Sequence, residues 1–357
     1  MKQLFALAFM FVMATVAMAQ DAPVTSLIKI REMQVAAELN KVLEGVKTLN
    51  VTSNFCKVEI LPCPDSLATS MIVAKLEVMD PEDGFKIECD DATPTMNVKF
   101  ILPENPQTAY AGEVTVYLRK GLDLNIMATN GNTKVKNLSE ANISVTSEKG
   151  KVNIEKSSGR FDIKTVGGII TLENVNGTIS AESKNAAVTA NSCEGKFVLD
   201  SGEGALTVNN FKGELATNTY GGKQTIDHSD GKFELKSKSG SIRLTYITAD
   251  LIKAETLRGD ITFGNSIKAA LDISTGSGTI GGAQAIVLTG SSNFSSDTGR
   301  IKLKFANKKE ELAFDVTSES KESAILVKGT SKKKKLQMGN GNIIVTSHSN
   351  QRNYVFS

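Results

Sequence analysis

Through the centre of the chain apolar and polar residues alternate, and the alternation restarts every nine positions. Glycine stands at 150, 159, 168 and 177 and again at 195, 204, 213, 222, 231 and 240, with Ala186 in the one slot between. Two places after each slot come Val152, Phe161, Ile170, Ile179, Val188, Phe197, Leu206, Leu215, Phe233 and Ile242; Gln224 is the exception. Four places after come Ile154, Ile163, Leu172, Leu199, Val208, Ile226, Leu235 and Leu244, with Ala181, Ala190 and Thr217 as smaller or polar members. Polar residues such as Asn153, Asp162, Thr171, Ser180 and Arg243 lie between. Period two with one apolar face is the pattern of a half-buried strand. Each unit therefore predicts a strand of four or five residues and a tight turn, with turn formers such as Ser158, Asn176, Asn185, Asp230 and Ser239 before the slot. The glycines are expected to supply a positive φ at the corners.

A nine-residue unit cannot bury its apolar face alone, whereas stacked units can. The predicted fold is all-β: a single-stranded parallel β-helix, or β-solenoid, with equivalent strands about 4.8 Å apart. The period leaves two strands per coil (18 residues) and three (27 residues) both open. A set of antiparallel hairpins in a barrel or sandwich is the competing arrangement. Calcium-bound nonapeptide rolls carry an Asp that is missing from nearly every repeat here, so calcium is not expected to hold the coils. The alternation continues with slippage at Leu124/Ile126 and Ile143/Val145 upstream, and at Ile261/Phe263, Leu271/Ile273, Ile301/Leu303 and Ile343/Val345 downstream.

Residues 20–118 are less regular. Strands are expected around Leu49, Lys57–Ile60, Ile72–Val78, Phe85–Glu88 and Val98–Leu102, with a turn at Asp80-Pro81-Glu82-Asp83-Gly84. Residues 27–46 read as either helix or strand. The segment is expected to cap the open end of a solenoid over residues 119–357, because bare terminal strands invite edge pairing. Residues 1–19 have the layout of a secretory signal peptide: a basic start at Lys2, an apolar run from Leu4 to Val16, and Ala17-Met18-Ala19 before the expected cleavage at Gln20. The run is too short to span a bilayer. The expected location is extracytoplasmic, in the periplasm, on the cell surface or secreted.

Lysines and arginines number 41 against 39 acids, so net charge gives no case for nucleic acid as a partner. Export permits disulfides among Cys56, Cys63, Cys89 and Cys193. Cys56–Cys89 or Cys63–Cys89 is the expected bridge, and buried free thiols are the alternative. Their spacing fits no zinc motif. Asp227-His228-Ser229-Asp230 holds the residue types of a catalytic triad, but neighbours in one turn do not converge as triad members do. His348, the acids Asp80, Glu82, Asp83, Asp90 and Asp91, and the run Lys332–Lys335 read as surface features. No catalytic, cofactor or metal residue is assigned.

The stretch Val114 to Ile126, then Asn130 to Leu138, followed by the glycine series, resembles the bacterial putative-adhesin family of exported β-helical proteins. The similarity covers about residues 40–350. It implies a right-handed β-helix in the envelope or at the cell surface, and it brings no functional residues with it. The expected function is a non-catalytic, adhesin-like binding or structural module that meets an unknown protein or glycan through long regular faces. A polysaccharide lyase or hydrolase on the same scaffold is the alternative. Against it, outward slots from Asp162 or Glu234 are expected to stack on no second titratable group, at either coil size.

Overall fold

The computed structural model describes residues 32–80, 83–319, 325–350 and 354–356. The signal-peptide assignment to residues 1–19, part of the 27–46 segment and the middle of the Asp80–Gly84 turn lie outside them. Within the described part of 27–46 the chain is extended, as strand β1 (Gln34–Val42). Further along come β2 (Thr48–Ser53), β3 (Lys57–Pro62), β4 (Met71–Val78), β5 (Lys86–Cys89), β6 (Thr95–Ile101), β7 (Tyr110–Leu118), β8 (Asp123–Ala128) and β9 (Thr133–Lys136).

The protein is a β-solenoid whose coil contains two strands and 18 residues. Ile143 pairs with Phe161, Phe161 with Ile179 and Ile179 with Phe197, all in parallel register. The two strands of a coil are unequal. Short strands such as Val152–Glu155, Ile170–Glu173 and Val188–Asn191 stack into one ladder. Longer ones such as Ser158–Thr165, Asn176–Ser183 and Lys212–Thr219 stack into the other. The repeat of nine in sequence is thus a repeat of 18 in space, since the two corners of a coil are built differently. Between the ladders lies a core of Phe161, Phe197 and Phe233 with Ile163, Ile170, Leu206 and Ile226, all essentially buried.

The first corner, from short strand to long, turns on a residue in the left-handed region that is not glycine. Lys156, Asn174, Ser192, Asn210, His228 and Tyr246 stand 18 apart with φ between 46° and 54°. The next residue in each case points inward: Ser157, Val175, Cys193, Phe211, Ser229 and Ile247 are all buried. Only two places later comes a glycine of the series, at 159, 177, 195, 213 and 231, with φ from 131° to 141°.

The second corner departs from expectation. Gly150, Gly168, Gly204, Gly222 and Gly240 do not adopt the left-handed φ that the sequence suggested. At these glycines the coils approach too closely for a side chain, although Ala186 carries its Cβ in the same column: a Cβ on Gly168 would lie 2.0 Å from the Gly150 carbonyl oxygen, and one on Gly204 2.1 Å from that of Ala186. A buried Ser or Thr three residues earlier holds the turn. Ser147 Oγ accepts the Gly150 N–H at 3.0 Å, Thr256 Oγ1 that of Gly259 at 2.9 Å and Ser296 Oγ that of Gly299 at 2.9 Å. The Oγ1 of Thr165 instead donates to the Gly168 carbonyl at 2.7 Å.

Gln224 and Thr217, which break the inward pattern, satisfy each other. The Thr217 hydroxyl donates to Gln224 Oε1 at 2.6 Å, and Gln224 Nε2 donates to the Lys236 carbonyl at 2.5 Å and to Thr219 Oγ1 at 3.1 Å. A buried amide is tolerated only when so paired.

At both ends spatial order departs from chain order. β2 lies between β6 and β8, and β3 between β7 and β9, all parallel. Likewise Ile343–Ser349 pairs with both Ser292–Ser296 and Leu312–Ser318. Beyond these coils the pairing turns antiparallel: β4 on β7, β1 on β4, β5 on β6, and at the far end Lys335–Met338 on Leu312–Ser318.

All four cysteines are free, so the expected bridge to Cys89 does not form. Each thiol has its own surroundings. Cys56 is packed beneath Gly112, and burial pushes its thiol up to about 12. Cys63 Sγ donates to the Thr69 carbonyl at 3.2 Å, Cys89 Sγ lies 3.5 Å from Asp91 Oδ1, and Cys193 fills one inward place of the first corner.

Candidate functional site

The outward face of the long-strand ladder supplies the site. Alternation sends Lys196, Val198 and Asp200 outward from one coil and Glu214, Ala216 and Asn218 from the next, in register. Lys232, Glu234 and Lys236 follow. Val198 is half exposed, and the missing bulk at Ala216 leaves an apolar floor beneath hollows of about 180 and 200 Å³. Ion pairs rim it: Lys196 to Glu214 at 3.4 Å and Lys236 to Glu234 at 2.7 Å.

A bulge alters the next coil. Gly231 pairs with Ala249 but Phe233 pairs with Ile252, so one residue is inserted and later partners stand 19 apart. Glu234 is thereby stacked on Lys253, and Lys253 on Asp272. The expectation that Glu234 would stack on no second titratable group is overturned by this one inserted residue, which fixed spacings of 18 or 27 do not reach; at the 18-residue spacing itself Lys196, Glu214 and Lys232 already form a column of charged groups. Glu234, Lys236, Lys253, Glu255 and Asp272 line a hollow of about 260 Å³. Its electrostatics favour charged groups over proton transfer. The hydrogen bond from Lys236 holds the Glu234 carboxyl below the usual carboxylate range, and Glu234 holds the Lys236 ammonium above its ordinary value. A catalytic acid needs the opposite, a carboxyl raised towards neutral pH.

Where the face meets the second corner a larger hollow of about 410 Å³ opens, lined by Asp200, Gly202, Asn218, Tyr220, Lys238 and Leu257 among others. Tyr220 and Leu257 are about half exposed. Lys238 Nζ sits 4.4 Å from the Tyr220 ring centroid and 3.0 Å from its hydroxyl. The Asp200 carboxylate accepts the Gly202 N–H at 3.0 Å and the Asn218 side-chain amide at 2.7 Å. Sequence reasoning missed these residues because the glycine at 202 lies outside the nine-residue series and Tyr220 sits in a turn.

The other candidates do not assemble into sites. His228 Nδ1 lies 3.1 Å from Asp227 Oδ2, but Ser229 is buried and its hydroxyl donates to the Asp227 carbonyl at 2.8 Å, so it is turned into the core. The His228 ring stacks on Tyr246, centroids 4.4 Å apart. His348 bonds Thr317 Oγ1 at 3.1 Å and Asn350 Oδ1 at 3.0 Å. Asp90 is held below the usual range by Asn97, while Asp91 pairs with Lys41. Lys332–Lys335 are exposed. Among the described residues no three His, Cys, Asp or Glu side chains are placed to hold a metal ion, and no helix is long and apolar enough to cross a membrane.

Fold and site together define a β-solenoid with a shallow apolar-floored, ion-pair-rimmed face. No family model and no curated protein matches the sequence. Solved structures do resemble it. One from Parabacteroides distasonis, described as a putative adhesin, is 11% identical over 88% of this chain and 97% of its own, with a TM-score of 0.31. A putative adhesin from Bacteroides fragilis is 9% identical over 90% and 96%, TM-score 0.25. A putative cell adhesion protein from Clostridium sporogenes is 7% identical over 91% and 99%, TM-score 0.21.

Proposed function

We propose that the chain is a non-catalytic, exported binding module, adhesin-like in that it meets its partner through the long-strand face. The observation that carries this reading is the group of exposed apolar side chains, Val198, Tyr220 and Leu257, spread over four neighbouring coils beside the ion pairs Lys196–Glu214 and Lys236–Glu234. An apolar centre with a polar rim is the anatomy of a recognition surface. Export rests on the signal-peptide pattern of residues 1–19, and within residues 20–118 the antiparallel strands β1, β4 and β5 serve as the N-terminal cap of the solenoid.

The enzyme reading gains one specific support, the Glu234–Lys253–Asp272 column. Two carboxylates flanking a bond are what glycoside hydrolysis requires. The lowered Glu234 carboxyl argues against it. Purified protein is expected to release no new reducing ends from polysaccharides, with or without calcium. Cleavage that disappears in Glu234→Gln or Asp272→Asn overturns the non-catalytic reading.

A further inference from the structure

We infer that the hollow at Tyr220 is a saccharide subsite, one that stacks an uncharged pyranose on the tyrosine ring. The inference rests on the binding-module reading and names its ligand class.

Along the outer edge of the second corner, the chain places Lys184, Gly202, Tyr220, Lys238 and Leu257 on successive coils. The Tyr220 N–H donates to the Gly202 carbonyl at 2.7 Å and that of Leu257 to the Ser237 carbonyl at 3.2 Å. The ring is about half exposed and lines the hollow. Lys238 Nζ sits against the ring and also bonds the hydroxyl, which fixes the ring's orientation. On the preceding coil the same column holds Gly202, which has no side chain. A half-exposed ring held in this way is a stacking platform whose ordering cost is partly met.

The polar groups beside it suit hydroxyls. Asp200 is pinned by the Gly202 N–H and the Asn218 amide, so its carboxylate and that amide form one preset acceptor–donor edge. A pyranose offers what this arrangement takes: an apolar C–H face for the ring and equatorial hydroxyls around its rim for the carboxylate–amide pair. Charge selects against anions. The hollow is lined by two carboxylates, Asp200 and Glu255, and two ammonium groups, Lys236 and Lys238. Lys236 is paired with Glu234 at 2.7 Å, which leaves two carboxylates against the single charge of Lys238. That negative excess disfavours a uronate, sialate or phosphate. The volume, about 410 Å³, falls within the roughly 300–1,000 Å³ of small-ligand clefts.

The test is a glycan array carrying neutral hexose and N-acetylhexosamine oligosaccharides beside uronate- and sialate-containing ones, followed by calorimetry on the best neutral glycan. Wild type is expected to retain neutral glycans, with Tyr220→Ala weakening affinity roughly tenfold or more. Tyr220→Phe keeps the ring and is expected to stay within about threefold of wild type, which separates stacking from loss of fold. No retention of any neutral glycan, a preference for acidic ones, or equal affinity in Tyr220→Ala overturns the inference. Cleavage of the bound glycan, by contrast, overturns the non-catalytic reading and leaves the subsite standing.

Discussion

Gly167 and Gly168 are adjacent in the same corner and should respond to alanine with opposite signs. Neither has a left-handed φ, so backbone strain does not distinguish them. A Cβ on Gly167 meets only the Glu148 carbonyl oxygen at 3.7 Å, ordinary contact. On Gly168 it would lie 2.0 Å from the Gly150 carbonyl oxygen, more than an ångström inside contact distance. Relief requires parting two stacked coils at a point fixed by Thr165 Oγ1 and Ser183 Oγ, both donating to the Gly168 carbonyl at 2.7 and 3.2 Å. Overpacking of this kind costs about 1–3 kcal/mol, and loosening those two bonds adds on the order of 1 kcal/mol each. Gly168→Ala should therefore lose about 3–5 kcal/mol. Gly167→Ala should gain roughly 0.4–1 kcal/mol by restricting the unfolded chain. Urea unfolding followed by circular dichroism reads both, and the midpoint shift at constant slope gives the difference. Equal midpoints for the two variants would refute close coil approach as the reason for the glycine series.

Other positions give independent checks. Gln224→Ala strands the buried Thr217 hydroxyl and should destabilise by about 2–3 kcal/mol, whereas Thr217→Val combined with Gln224→Met should cost clearly less than the single change; a double-mutant cycle decides. Lys156→Asn should stabilise by up to about 1 kcal/mol, since Asn suits the left-handed region better than Lys does; thermal unfolding checks it. Cys56 has a thiol pushed up to about 12 by burial. Folding therefore favours its protonated form, and this contribution is full below about pH 8.5 and declines as pH rises towards the folded value. Native protein should leave Cys56 unmodified by iodoacetamide at pH 8, with labelling only on unfolding, as read by peptide mass spectrometry.

The core was legible because a strand face is a local property. Phe161, Phe197 and Phe233 sit inward as the alternation requires. What the alternation lacks is any term for contact between coils. It assigned one cause, positive φ, to all the glycines, although Gly168 and Gly204 answer to a carbonyl on the neighbouring coil. The column of left-handed residues from Lys156 to Tyr246 is just as regular, but its six positions are written in five different side chains and so carry no single compositional mark. The Glu234–Lys253 neighbourhood depended on a single bulge residue, and the Tyr220 hollow on which side chain the adjoining coil lacks. Binding geometry on a solenoid is a relation between residues a coil apart, and coil length was what the period left undecided.

Coil length is also what the face of Val198, Ala216 and Glu234 depends on, and a crosslink measures it. Stacked parallel strands put partner Cα atoms about 4.8 Å apart, within the roughly 4.4–6.8 Å a disulfide spans. Ala216 is paired with Glu234 in the 18-residue coil, whereas a 27-residue coil would put Arg243 beside it. Air oxidation of Ala216→Cys/Glu234→Cys, compared with Ala216→Cys/Arg243→Cys and read by peptide mass spectrometry, distinguishes the two. The two-strand solenoid predicts a 216–234 bridge and none between 216 and 243. A 216–243 bridge in its place would contradict the coil and dissolve the site built on it.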